Sequence, residues 1–123
     1  EAVRWYRKAA EQGQAYANGR GVKQDPAEAV RWFRKAAEQL HPKGGFCLGH
    51  CYLTGRGVTE NRIEGLAWMF TSADGLSPDL KELLIKVVDD FSEEEMVQAG
   101  IRSKQLVKEC RAKLEAAEAK ASR

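Results

Sequence analysis

A chain of 123 residues is one domain's worth of sequence, and 43% hydrophobic with 31% charged residues is ordinary for a soluble helical protein. A net charge of +2 selects no class of partner, and no apolar run approaches the roughly 18 residues of a membrane span. Three cysteines exclude complete internal pairing. Cys47 and Cys51 lie four apart on one expected helix, a poor disulfide geometry, so reduced thiols are expected, with a lean toward a reducing compartment.

The chain opens on Glu1-Ala2-Val3-Arg4-Trp5-Tyr6-Arg7-Lys8-Ala9-Ala10-Glu11-Gln12, and the same string returns as Glu28-Ala29-Val30-Arg31-Trp32-Phe33-Arg34-Lys35-Ala36-Ala37-Glu38-Gln39. It returns again, worn down, from Glu64 through Trp68 to Ala73. A second string interleaves with it, Asn18-Gly19-Arg20-Gly21-Val22 and then Thr54-Gly55-Arg56-Gly57-Val58. Trp32 and Trp68 stand 36 residues apart, as do Gly21 and Gly57. Self-similarity at such a period means stacked supersecondary units. Trp5 and Trp32 are only 27 apart, nine short of the period, with the loss falling at residues 13–16. This is either a deletion or a skipped segment. The opening on a second helix with no first helix before it reads as a fragment of a longer array.

In one unit, Asp25-Pro26-Ala27-Glu28 opens a helix by cap, proline and acid, with Ala29, Phe33, Ala36, Ala37 and Leu40 at helical spacing. His41-Pro42 breaks the chain, and a helix runs from Pro42 to Thr54 with Leu48, Gly49 and Tyr52 on its buried side. The glycines of Gly55-Arg56-Gly57-Val58 permit the positive φ of a tight reversal. Asn61 and Glu64 then repeat the cap spacing, and Asp74-Gly75 ends the unit. Trp32, Tyr52 and Trp68 are expected to be buried in mutual contact across adjacent helices.

From Leu76 the repeat stops. Ser77-Pro78-Asp79 starts a helix whose apolar stripe is Leu80, Leu83, Leu84, Val87 and Val88. Ser92-Glu93-Glu94-Glu95 is a capping box, stapled by Phe91 and Met96. The last helix runs from Glu93 toward Lys120, with Met96, Val97, Ile101, Val107, Cys110 and Leu114 expected on one side and Glu115–Arg123 projecting or fraying.

The order Leu48-Gly49, Tyr52, Gly55-Arg56-Gly57-Val58, Glu64, Trp68 closely resembles the Sel-one-like repeat, a helical-pair solenoid related to the tetratricopeptide repeat. The resemblance covers residues 1–73. The chain departs from the family pattern in three places: Leu40 stands where Gly is usual, Gly44-Gly45 replaces Ala-Gln, and Gly65 replaces Ala. Each added glycine is expected to weaken its helix by about 1 kcal/mol. The resemblance implies an all-α right-handed solenoid of two to three helix-turn-helix repeats over residues 1–75. Two capping helices over residues 76–123 would close it, as in many bacterial members, because a last repeat needs a neighbour for its apolar face.

Chemistry is sparse. Cys47, His50 and Cys51 share a helical neighbourhood, but a closed zinc site wants four ligands, and Cys-x-x-His-Cys is not a haem-attachment order. Small apolar thiols beside a surface histidine are expected, with no metal and no cofactor. Arg31, Arg34 and Lys35 read as a solvated outer face rather than a nucleic-acid patch. No nucleophile–base–acid set assembles, and no Ser-x-x-Lys site stands here, although some relatives have been described as β-lactam-binding. Phe46, His50 and Thr54 fall together on another side of the Pro42–Thr54 helix, and the resemblance places first helices on the concave surface where partners dock. These three residues are the expected partner-binding site. The function implied is a protein–protein interaction scaffold or adaptor. The alternatives are an immunity or inhibitor protein for a secreted bacterial effector and, last, a β-lactam-binding enzyme-like relative. No nucleic acid or membrane span is expected, and self-association through the open N-terminal end is.

Overall fold

The computed structural model describes residues 26–121, which form five helices, one short 3-10 turn and no strand. The helix expected over residues 1–12, the shortfall near Gly13, the Asp25 cap and the N-terminal end proposed for self-association lie outside the described residues. The helices are α1 (Pro26–Glu38), α2 (Pro42–Thr54), α3 (Arg62–Ser72), α4 (Pro78–Val88) and α5 (Glu93–Ala121), with the 3-10 turn at Ala73–Gly75. Helix α1 packs on α2, α2 on α3, and α3 on α5.

Local chemistry sets the boundaries. Asn61 Oδ1 accepts from Glu64 N at 3.1 Å and Ser77 Oγ from Leu80 N at 3.4 Å. The capping box of α5 is complete: Ser92 Oγ accepts from Glu95 N at 3.1 Å while Glu95 Oε1 accepts from Ser92 N at 3.0 Å. Gly55 and Gly57 both take positive φ, 71° and 77°, so the α2–α3 reversal rests on two left-handed residues, as the turn required. Leu40 also has φ of 60°. It occupies the C′ position of a Schellman motif, in which Leu40 N donates to Ala37 O at 2.9 Å and His41 N to Ala36 O at 3.1 Å. A leucine held there carries roughly 1–2 kcal/mol of strain that glycine would not.

Two clusters make the core. In the first, Val30 and Phe33 of α1, Leu48 of α2, Trp68 of α3, and Leu106 and Cys110 of α5 meet. In the second, Phe46 of α2, Leu66 and Met69 of α3, Leu84 of α4, and Phe91 and Ala99 enclose the other end. Trp68 is 3% exposed, whereas Trp32 and Tyr52 are half-buried against the first cluster. Arg34, expected on the outer face, instead turns over the Tyr52 ring and donates to its hydroxyl.

Glycines mark where helices touch. A Cβ on Gly49 would lie 2.5 Å from Gly65 O, and one on Gly65 2.8 Å from Gly49 O. At Gly44 it would lie 2.5 Å from Ala36 Cβ. These residues thus bring the helix backbones into contact, a role that their low helix propensity does not reveal.

The stripe expected on α5 is corrected. Ala99, Ser103, Leu106 and Cys110 are buried, whereas Val97 and Ile101 are 61% and 56% exposed. At about 100° per residue, Val97 and Ile101 stand more than a quarter-turn from the Ala99–Cys110 line, so the six residues first grouped do not share a face. Leu83 and Ile85 of α4 are likewise exposed. Helix α5 runs alongside α3 in the same direction, and ion pairs fix it. Arg62 Nε reaches Glu95 at 3.2 Å, Arg102 Nε reaches Glu64 at 2.8 Å, and Lys113 Nζ reaches Glu38 of α1 at 2.7 Å. Beyond Leu114 the helix continues, fully exposed, to Ala121, so it projects.

Gly49→Ala should destabilise the protein by about 1–3 kcal/mol, since its methyl would overlap the Gly65 carbonyl. Gly100→Ala, whose Cβ meets nothing within 4 Å, should stabilise α5 by about 0.5–1 kcal/mol. Denaturant melts of the two variants check the contrast. Equal effects would show that propensity, and not helix contact, governs both glycines.

Candidate functional site

Helix α2 is held between α1 and α3. Its buried residues are Gly44, Gly45, Phe46, Leu48, Gly49 and Cys51. What remains open is a stripe at i, i+4, i+7 and i+11: Lys43, His50 and Thr54 are exposed and Cys47 is half-buried. The structure therefore keeps His50 and Thr54 together at the surface but separates Phe46 from them. Phe46 is 8% exposed and packs in the second core cluster, so it is no free aromatic. The reason is helical phase: Phe46 and His50 are i, i+4 neighbours, yet Phe46 sits at the edge of the arc that faces α3, beside Leu53. Lys43 and Cys47 share this open stripe and were not among the residues expected there. Their i, i+4, i+7, i+11 spacing with His50 and Thr54 places all four on one helical face.

The polar groups of the stripe are partly committed to the helix itself. Thr54 Oγ1 donates to His50 O at 3.0 Å and lies 3.4 Å from Cys51 O. His41 is the N-cap of α2, its Nδ1 accepting from Gly44 N at 3.3 Å. Burial, aided by the Lys43 charge, holds the His41 pKa below the ordinary imidazole value of 6.5. This cap requires the neutral ring, because a protonated Nδ1 has no lone pair to accept with.

Cys47, Cys51 and Cys110 are free thiols. Burial, then the neighbouring Cys51, pushes the Cys47 pKa up to about 11 against the opposing pull of Lys43. Burial likewise raises Cys51 and Cys110. A thiol so shifted carries little thiolate at neutral pH and is a poor nucleophile. Cys51 turns into the first core cluster while His50 faces solvent, so the Cys-x-x-His-Cys run does not converge. Among the described residues no three His, Cys, Asp or Glu side chains could hold a metal ion, and no helix is long and apolar enough to cross a membrane.

A family model of the Sel1 repeat matches residues 1–14, 13–39 and 48–75, more than half of the chain. The chain belongs to the Sel1 repeat family. Among solved structures it is similar to a protective antigen of uropathogenic Escherichia coli displaying an SLR fold, with 28% identity and a TM-score of 0.67. That likeness covers 91% of this chain and 25% of the other, so this chain spans a quarter of that protein's length. No curated protein matches the chain. The fold is therefore the helical solenoid of Sel1 repeats, and α1–α3, joined by the Leu40 reversal and the Gly55–Gly57 reversal, are its repeat elements.

Because the folded-state pKa of His41 lies below 6.5, the unfolded chain takes up the proton first. The cap's contribution is fully present above that pH and is lost as pH falls through 6.5 toward the folded value. His41→Asn keeps a side-chain cap that does not titrate. Its stability in melts between pH 7 and pH 5 should be flatter than that of the parent. A parallel pH slope in the two proteins would remove His41 from the cap.

Proposed function

We propose that this Sel1-repeat chain is a protein-interaction scaffold rather than an enzyme, and that its docking surface is the open stripe of α2, with His50 and Thr54 at its centre and Lys43 and Cys47 completing it. The observation that carries this reading is enclosure. Helices α1 and α3 take the remaining sides of α2, and α2 still presents a continuous four-residue strip to solvent. Solenoid repeats use such ordered strips to bind with little further ordering cost. Phe46 supports the strip from behind as a packed core residue.

Binding is favoured over catalysis by the titratable groups. Perturbed pKa values cluster at catalytic sites. Among the described residues each perturbed group has a structural cause. His41 caps a helix, desolvation raises the three thiols, Glu95 closes a capping box, and Arg102 and Lys113 sit in ion pairs with Glu64 and Glu38. No two of these groups are poised as acid and base over a common cleft.

The double variant His50→Ala/Thr54→Ala should weaken binding to a partner recovered by the full-length protein by about 2 kcal/mol, with melts unchanged, since both residues are exposed. Phe46→Ala should instead lower folding stability by about 3–5 kcal/mol, as a large core deletion. Calorimetric titration and thermal melts read the two effects separately. An affinity untouched by the double variant would sink the α2 docking surface.

A further inference from the structure

A second surface, sharing no residue with the α2 strip, lies where α5 passes the end of α3. A groove of about 750 Å³ opens there. Leu40, Phe70 and Val107 give it an apolar floor. Lys104, Lys108 and Arg111 line it at i, i+4 and i+7 along α5, all exposed. Among the described residues none of the three makes an ion pair. Asp74 and Glu115 also line the groove, leaving it with one excess positive charge.

Two observations point to use of this groove. The first is charge complementarity. Cations repeating at each turn of one helix, roughly 5 Å apart along its axis, match carboxylates repeating at each turn of a second helix laid beside it. The apolar floor between them suits the apolar stripe of such a helix. The other is Leu40. It holds the left-handed conformation at the end of α1, with φ of 60°, where glycine would sit without strain. Its side chain lines the groove and continues the core surface into it, which gives the floor an apolar anchor. Leu40 also packs against the first core cluster, so its two roles must be separated by experiment.

We propose that this groove binds an acidic amphipathic helix of a protein partner, the apolar face of that helix resting on Leu40, Phe70 and Val107 and its carboxylates on Lys104, Lys108 and Arg111. The proposal stands apart from the α2 strip and is tested without it. A phosphate backbone is a worse match, because Asp74 and Glu115 would face it and the apolar floor would be left uncovered.

The probe is a fluorescein-labelled amphipathic peptide with leucines at helical spacing flanked by glutamates, titrated by anisotropy against the full chain. The same peptide with lysines for glutamates and a single-stranded RNA oligonucleotide serve as controls. The glutamate peptide should bind saturably and the lysine peptide should not. Lys104→Glu/Lys108→Glu, on the exposed face, should weaken binding at least about tenfold with an unchanged melt, and added salt should weaken it as well. Leu40→Gly should lose affinity while keeping its melting temperature. If it unfolds, the charge-reversed pair decides. Equal binding of the two peptides, an affinity indifferent to charge reversal, or tighter binding of RNA would overturn the proposal. So would sedimentation showing that the groove is filled by a second copy of the chain.

Discussion

The structure depends on the contact between the backbones of α2 and α3 at Gly49 and Gly65. Neither position tolerates a Cβ, because each would place it within 3 Å of the other's carbonyl oxygen. That closeness sets the spacing of the helix pair, and the spacing in turn decides what fills the flanks. On one side Leu48 and Trp68 complete the core that α1 and α5 cover, and on the other Phe46 and Met69 complete the core under α4. Dispersion and burial act fully only when such surfaces meet without gaps, so two side chains of a single hydrogen atom determine how well two apolar clusters close.

Helix α5 is attached by a different logic. Its buried line, Ala99-Ser103-Leu106-Cys110, is small and only modestly apolar, so contact area alone is limited. Charge pairs supplement it at intervals along the helix. Glu64 accepts two hydrogen bonds from Arg102, at 2.8 and 3.2 Å, in the fork geometry that arginine favours. Arg62 adds a contact to Asp90 O at 3.0 Å and lies 4.3 Å over the Phe91 ring, tying the α4–α5 bend to the start of α3. These groups are partly exposed, so each contributes modestly, and their value lies in fixing register between helices that share few large side chains.

Much of this was legible from local signals. Asn61, Ser77 and the Ser92–Glu95 box announce helix starts because capping is settled within four residues. Gly55 and Gly57 announce the reversal because positive φ is a property of the residue itself. What was not legible depends on partners distant in sequence. Val97 and Ile101 are large and aliphatic, yet solvent takes them because α5 meets α3 through smaller residues. Phe46 shares a spacing with His50 and Thr54, yet α3 claims it. Arg34 looks like part of a solvated basic face until Tyr52 is placed beside it. His41 hardly suggests a helix cap in the sequence, since imidazole is a rare choice for the role. In the candidate site, the exposure of His50 and Thr54 followed from helical periodicity, but the loss of the aromatic did not.

The pair between Glu38 and Lys113 spans 75 residues and joins the first described helix to the last. Stacked repeats ordinarily behave as a line in which each unit knows only its neighbours, so an end can peel away while the middle stays folded. Here Leu106 and Cys110 of α5 share a core with Val30 and Phe33 of α1, so the first and last described helices line one cluster. Separating α1 from α5 would open the core that both helices line. Such a link couples repeat helix to capping helix directly, and not only through the elements between them.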